Sequence, residues 1–352
     1  MEFSYAILWK NPLKTLSFAA LMMSYASLWI HRSVWIWGSF LGVATILGFQ
    51  TGIVTPLALV PILFLLTIYF FLFRKNIQGL YQNQSWNWNF CSRFFCLIKR
   101  GVRCDLPASS RERTQNQTEK DSCKNSNSMT DSGILRALLI FAAGAISIGL
   151  WFHLVPGFNN WQLVNREILS KEAVPYSLWL NFDKSLIGIF ILAWSLPLIK
   201  TKEKLWNVAK KALPFFLLGI GIMILLALYG GVVKWDPKIL SFFSIWVLSN
   251  LLLTVIPEEA FCRGFIQEEI YHYLHKRHLP ANAGAVILTS LLFMLLHICW
   301  IKNVPFLSLA FISGIIYGSI YQYTKSIESA IFCHFLFNGI HFIFFTYPAL
   351  VK

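Results

Sequence analysis

A succession of apolar runs, each close to the length that crosses a lipid bilayer, decides most of what this chain can become. A bilayer core takes about 20 apolar helical residues. Runs of that order occur at 15–30, 34–50, 54–73, 134–155, 185–199, 211–233, 239–256, 283–301, 306–323 and 328–346. Backbone polar groups meet no water inside hydrocarbon, so each run must close its hydrogen bonds within a helix. The expected fold class is therefore all-α: a polytopic transmembrane helix bundle of about 8–10 spans, since several runs are short and carry Pro or Gly. Residues 34–73 are too long for one crossing, and Gln50-Thr51-Gly52 supplies a turn that divides them.

Composition excludes a soluble domain. The 352 residues are 56% hydrophobic and 13% charged, against roughly 25% charged in soluble domains. The net charge of +14, from 30 Lys and Arg against 16 Asp and Glu, would suggest nucleic acid in a soluble protein. Here the basic residues flank the apolar runs, where they act as topology signals facing anionic lipid, so no nucleic-acid partner is expected. No run has the short apolar core and small-residue cleavage site of a signal peptide.

The chain divides into transmembrane helices at 1–73, a basic loop at 74–133, further helices with an external loop at 134–200, and a membrane core at 201–352. Within the basic loop, "WNWNFCSRFFCLIKRGVR" at 86–103 reads as a segment lying on the membrane surface. The polar stretch 107–132 reads as disordered. Arg93, Lys99, Arg100 and Arg103, and the Lys-rich 200–211, put both loops on the cytoplasmic side, with 156–184 outside. The seven Cys show no disulfide or C-x-x-C pattern and read as free thiols.

Ionisable groups within spans are costly and hence the natural candidates for chemistry. "IPEEAFCRGF" places Glu258 beside Glu259, with Arg263 four residues after Glu259 and on the same helical face. Two adjacent carboxylates in a dehydrated place resist carrying charge together. One partnered by Arg263 would leave the other to act as a base. Read alone, the same residues also suit an acidic helix cap with Pro257 in its first turn. Further on, "FMLLHICW" carries His297 four residues after Phe293, and "CHFLFNGIHF" lines up His334, Asn338 and His341 on one face.

Together these groups supply what hydrolysis needs. A Glu and a His can hold and deprotonate a water, and a His and an Asn can donate to the oxyanion on a carbonyl. No cofactor is favoured. The alternative is zinc on Glu258, His297 and His334, although no H-E-x-x-H occurs. A structural polar network in a membrane immunity or assembly factor, or a proton-coupled transporter, would use the same residues differently.

The pattern resembles the CAAX prenyl protease and bacteriocin-processing (CPBP, or Abi) family of intramembrane proteases, also called type II CAAX proteases. That family has E-E-x-x-x-R, then F-x-x-x-H, then H-x-x-x-N, matched here by Glu258-Glu259 to Arg263, Phe293 to His297 and His334 to Asn338. The resemblance covers about 211–346. It implies that Glu258 with His297 activates water, that His334 with Asn338 stabilises the oxyanion, and that Glu259 and Arg263 support them. It also implies a membrane-associated protein or peptide substrate, lipid-modified in part of the family, and a multi-pass location expected to be the bacterial inner membrane.

Hydropathy poses one difficulty. It ends the 239–256 span before Glu258, while His297 lies late in a span starting from the same side. At ~1.5 Å per residue the two would stand ~20 Å apart. A shared site requires a break at Pro257, a long helix running past Arg263, or a raised start to the next helix, with a water-filled cavity open to the cytoplasm.

Overall fold

The computed structural model describes residues 4–81, 117–194, 197–299 and 303–351. The chain forms two compact units, Met1–Leu66 with Gly144–Lys352, and Thr67–Ala143. The surface segment expected at 86–103, and 107–116 of the stretch expected to be disordered, lie outside the described residues.

After a short helical turn at Ala6–Lys10, the helices are α1 (Pro12–Ile30), α2 (Val34–Thr51), α3 (Leu59–Tyr81), α4 (Gln117–Trp151), α5 (Phe182–Trp194), α6 (Lys202–Tyr229), α7 (Phe243–His275), α8 (Ala281–Leu296), α9 (Val304–Thr324) and α10 (Ile327–Phe344). Among the described residues, seven helical stretches are long and apolar enough to cross a membrane, and two shorter apolar helices, Pro56–Leu72 and Ala281–Leu296, accompany them. The protein is a multi-pass integral membrane protein. Gly52 ends α2 with φ of 73°, the left-handed conformation that glycine adopts without a Cβ clash. That is the turn expected between two spans.

Small polar residues tie α1 to α2, with Ser17 Oγ donating to Ala44 O at 2.8 Å and Ser24 Oγ to Trp37 O at 2.9 Å. In hydrocarbon such bonds replace the hydrophobic drive that lipid removes.

Two features depart from the expectation. The run at 185–199 is the 13-residue α5, about 20 Å long and wrapped by protein, with Phe182, Leu186 and Phe190 fully buried. The loop 156–184 contains an antiparallel hairpin, β1 (Trp161–Glu167) and β2 (Tyr176–Leu180). Beside it, single bridges join Ala173 to Leu350 and Trp235 to Phe345. The carboxy-terminal strap 345–351 is thereby held to the loops before β2 and before α7.

The larger correction concerns α7. The span expected to end at 256 continues to His275, with α-helix at Ile256–Glu259 between wide π-helical turns at Ser249–Val255 and Ala260–Gln267. A proline in a regular helix clashes with the carbonyl four residues back. The wide turn ahead of Pro257 displaces that carbonyl and lets the helix pass through. Pro257 is thus an interior residue, not a first-turn cap.

Candidate active site

The continuous α7 removes the depth problem. Glu258 lies 17 residues before the end of α7 at His275, and His297 follows 16 residues after the start of α8 at Ala281. At ~1.5 Å per residue both stand about 25 Å from the α7–α8 turn. They line one cavity of about 180 Å³, together with His334, Asn338, Asn250 and Tyr317.

The two carboxylates point to different partners. Glu259 is fully buried and accepts a hydrogen bond from His334 Nδ1 at 2.8 Å through Oε1. Its Oε2 lies 3.2 Å from Arg263 Nε, an ion pair lacking the alignment of a good hydrogen bond. The Arg263 guanidinium, also fully buried, sits 4.8 Å from the centre of the Phe293 ring and donates to Gly314 O at 3.2 Å. Glu258 is paired as well, against the expectation of a partnerless base: Oε1 accepts from Lys184 Nζ at 2.6 Å.

The histidine rings are fixed by what they donate to. His297 Nδ1 donates to Phe293 O at 2.7 Å, which leaves the lone pair of a neutral ring on Nε2. His334 is stacked on Tyr317 at 4.7 Å between ring centroids. The Phe293 ring touches both histidines, 4.4 Å from His297 and 5.8 Å from His334. Asn338 Nδ2 donates to Asn250 Oδ1 at 3.3 Å, which leaves its second N–H for another acceptor.

Sequence reasoning missed Lys184, Asn250 and Tyr317. Lys184 sat at the edge of an apolar run and read as a flank. Tyr317 lies inside "GIIYG", where the flanking glycines signal close approach of helices. His341, the third polar residue of its face, lines the same cavity and bonds Thr346 O at 3.2 Å.

The rings would suit zinc through Nε2, since ligating histidines donate their other N–H to a carbonyl or carboxylate. The Glu258 carboxylate has one oxygen, Oε1, held by the Lys184 ammonium. Among the described residues no group of three His, Cys, Asp or Glu could hold a metal ion.

The fold and cavity define a class: a polytopic membrane protein with a carboxylate, two histidines and an asparagine gathered inside its helix bundle. Residues 240–340 of the chain match the family model described as type II CAAX prenyl endopeptidase Rce1-like. That segment runs from the approach to α7 to most of α10 and includes Glu258, Glu259, Arg263, His297, His334 and Asn338. No curated protein and no solved structure matches the chain. The family match supports a CAAX-type intramembrane endopeptidase.

Proposed function

We propose that the protein hydrolyses a peptide bond of a membrane-associated substrate at this cavity, using a water activated by Glu258 and His297. The observation that carries the reading is that Glu258, His297, His334 and Asn338, from three helices, line the same cavity. In the proposed reaction the water oxygen attacks the scissile carbonyl carbon while Glu258 Oε2 takes its proton and His297 Nε2 orients it. The carbonyl oxygen becomes an oxyanion and receives N–H donors from Asn338 Nδ2 and from His334 Nε2, with Glu259 holding the other edge of the His334 imidazolium. Collapse breaks the C–N bond, and the proton on Glu258 passes to the leaving amine.

The proposed substrate is a tail ending in a lipid-modified CAAX sequence, a reading supported by the description of the matched family, and the bacterial inner membrane is the proposed location. The test is cleavage of a farnesylated CAAX peptide by the reconstituted full chain, compared with Glu258→Gln and His297→Ala, with and without a chelator. Cleavage by wild type, loss in both variants and indifference to chelator are expected. Undiminished cleavage by Glu258→Gln would overturn the assignment, and loss with chelator would overturn the metal-free route.

A further inference from the structure

The site's ion pair reaches outside the matched segment. Lys184 belongs to α5, 74 positions before Glu258, and both side chains are almost wholly buried. Lys184 does not line the cavity whereas Glu258 does, so the ammonium holds the carboxylate from behind.

Several contacts fix Lys184 there. Its ammonium lies 4.1 Å from the centre of the Trp151 ring, and that ring is in turn 6.3 Å from the His297 ring. Its backbone N–H donates to Asp183 Oδ1 at 2.8 Å, and Asp183 is anchored by His153 Nδ1 at 2.8 Å and Asn160 Nδ2 at 3.0 Å. One turn along α5, a Cβ on Gly188 would stand 3.0 Å from the Pro257 Cα and 2.5 Å from the Tyr25 hydroxyl. The backbones of α5 and α7 therefore approach closely beside Glu258, at a point where only glycine fits.

A buried charge is costly unless paired. The charged and titratable groups around Glu258 are Lys184 from α5, His297 from α8, His334 from α10, and Glu259 with Arg263 on α7 itself. His334 and Arg263 are bonded to Glu259, and Lys184 is bonded to Glu258. We propose that Lys184 is a positioning residue: it keeps Glu258 ionised and holds Oε1, so that Oε2 is presented to the cavity. The functional half of this inference rests on the reading of Glu258 as the base. It extends the site to a helix that lies ahead of the matched segment 240–340.

The test has two arms on the reconstituted full chain. Infrared spectra at pH 7 identify the Glu258 carboxyl by its loss in Glu258→Gln. The expected band is that of an ionised carboxylate in wild type and Lys184→Arg, and of a protonated acid in Lys184→Met. Lys184→Gln carries the same comparison should the methionine variant fail to fold. In the second arm, cleavage of the farnesylated CAAX peptide should lose on the order of 100-fold in kcat in Lys184→Met, with KM nearly unchanged and most of the rate restored by arginine. An ionised Glu258 in Lys184→Met, or an unchanged kcat, would overturn the inference. A shifted band together with no cleavage by wild type would defeat the endopeptidase reading while leaving the role of Lys184 in holding the charge intact.

Discussion

His334 donates its Nδ1–H to Glu259 at 2.8 Å across 75 positions of sequence, so the second glutamate of the pair serves the histidine and not its neighbour. Successive helical residues point ~100° apart. Glu258 therefore faces α5 and the cavity while Glu259 faces α10 and Arg263. Each carboxylate has its own cation, which lets both sit in one buried turn.

Breaking the inner pair should cost stability. Removing one partner of a buried ion pair typically costs about 3–5 kcal/mol, because a bare charge stays behind. Arg263→Met should destabilise by that amount in thermal unfolding. Glu259→Gln with Arg263→Met should cost less than the two single changes summed; strict additivity would mean that the residues are uncoupled.

Asn250 orients Asn338. Asn250→Ala removes the acceptor at 3.3 Å, and a neutral hydrogen bond is worth about 1 kcal/mol. In peptide cleavage kcat should fall several-fold with KM nearly constant. A change confined to KM would assign Asn250 to substrate binding instead.

The small residues of α9 set how closely α8 and α7 approach. A Cβ on Gly314 would meet Ser290 Cβ at 3.0 Å and its backbone Cα at 3.1 Å, whereas one on Gly318 would meet chiefly the Gln267 amide oxygen at 3.0 Å. Backbone cannot yield as a side-chain end can. Gly314→Ala should therefore cost about 1–3 kcal/mol and Gly318→Ala less, measured as unfolding in the same detergent. The reverse order would contradict this packing.

The carboxy-terminal strap should loosen in acid. Hydrogen bonding and charge from Lys234 hold the Glu172 carboxyl below its ordinary value of 4.5, and the Ser170 hydroxyl with Lys238 holds Asp236 below its ordinary 3.8. Groups with depressed folded values stabilise fully above the ordinary value and lose that contribution as pH falls through the folded one. Lys238 also donates to Phe345 O at 2.5 Å, and Val351 N–H donates to Glu172 O at 2.8 Å, so the strap depends on these residues. Amide exchange at 345–351, corrected for intrinsic rates, should accelerate below about pH 4. Constant protection down to pH 3 would refute the link.

The residues of the site were legible because charged and polar side chains stand out against an apolar background. Glu258, Glu259, Arg263, His297, His334 and Asn338 could all be read that way, and hydropathy gave most of the spans. Lys184 was not legible, since a lysine beside an apolar run looks like a topology flank and its partner is 74 residues away. The hairpin carried a signal, the aromatic and β-branched residues of "WQLV" and "YSLWL", obscured by the expectation of helices alone. The reach of α7 was hidden because Pro257 ordinarily marks a helix start, and no composition rule announces a wide turn.

Those wide turns make the site a matter of counting as well as chemistry. A π turn holds about one residue more than an α turn, so deleting a single residue between Ala260 and Gln267 would let the helix close into a regular spiral. The closed turn gives up only the residue that the wide turn holds in excess, so the side chains beyond it would keep their faces, and Gln267 would still reach Gly318 O, which it bonds at 3.0 Å here. A residue lost from a regular α turn of the same helix has no such slack, and everything beyond it would swing by ~100° about the axis. Length along this helix is as much a determinant as any carboxylate, and the wide turns are where it can change by one residue without turning the site.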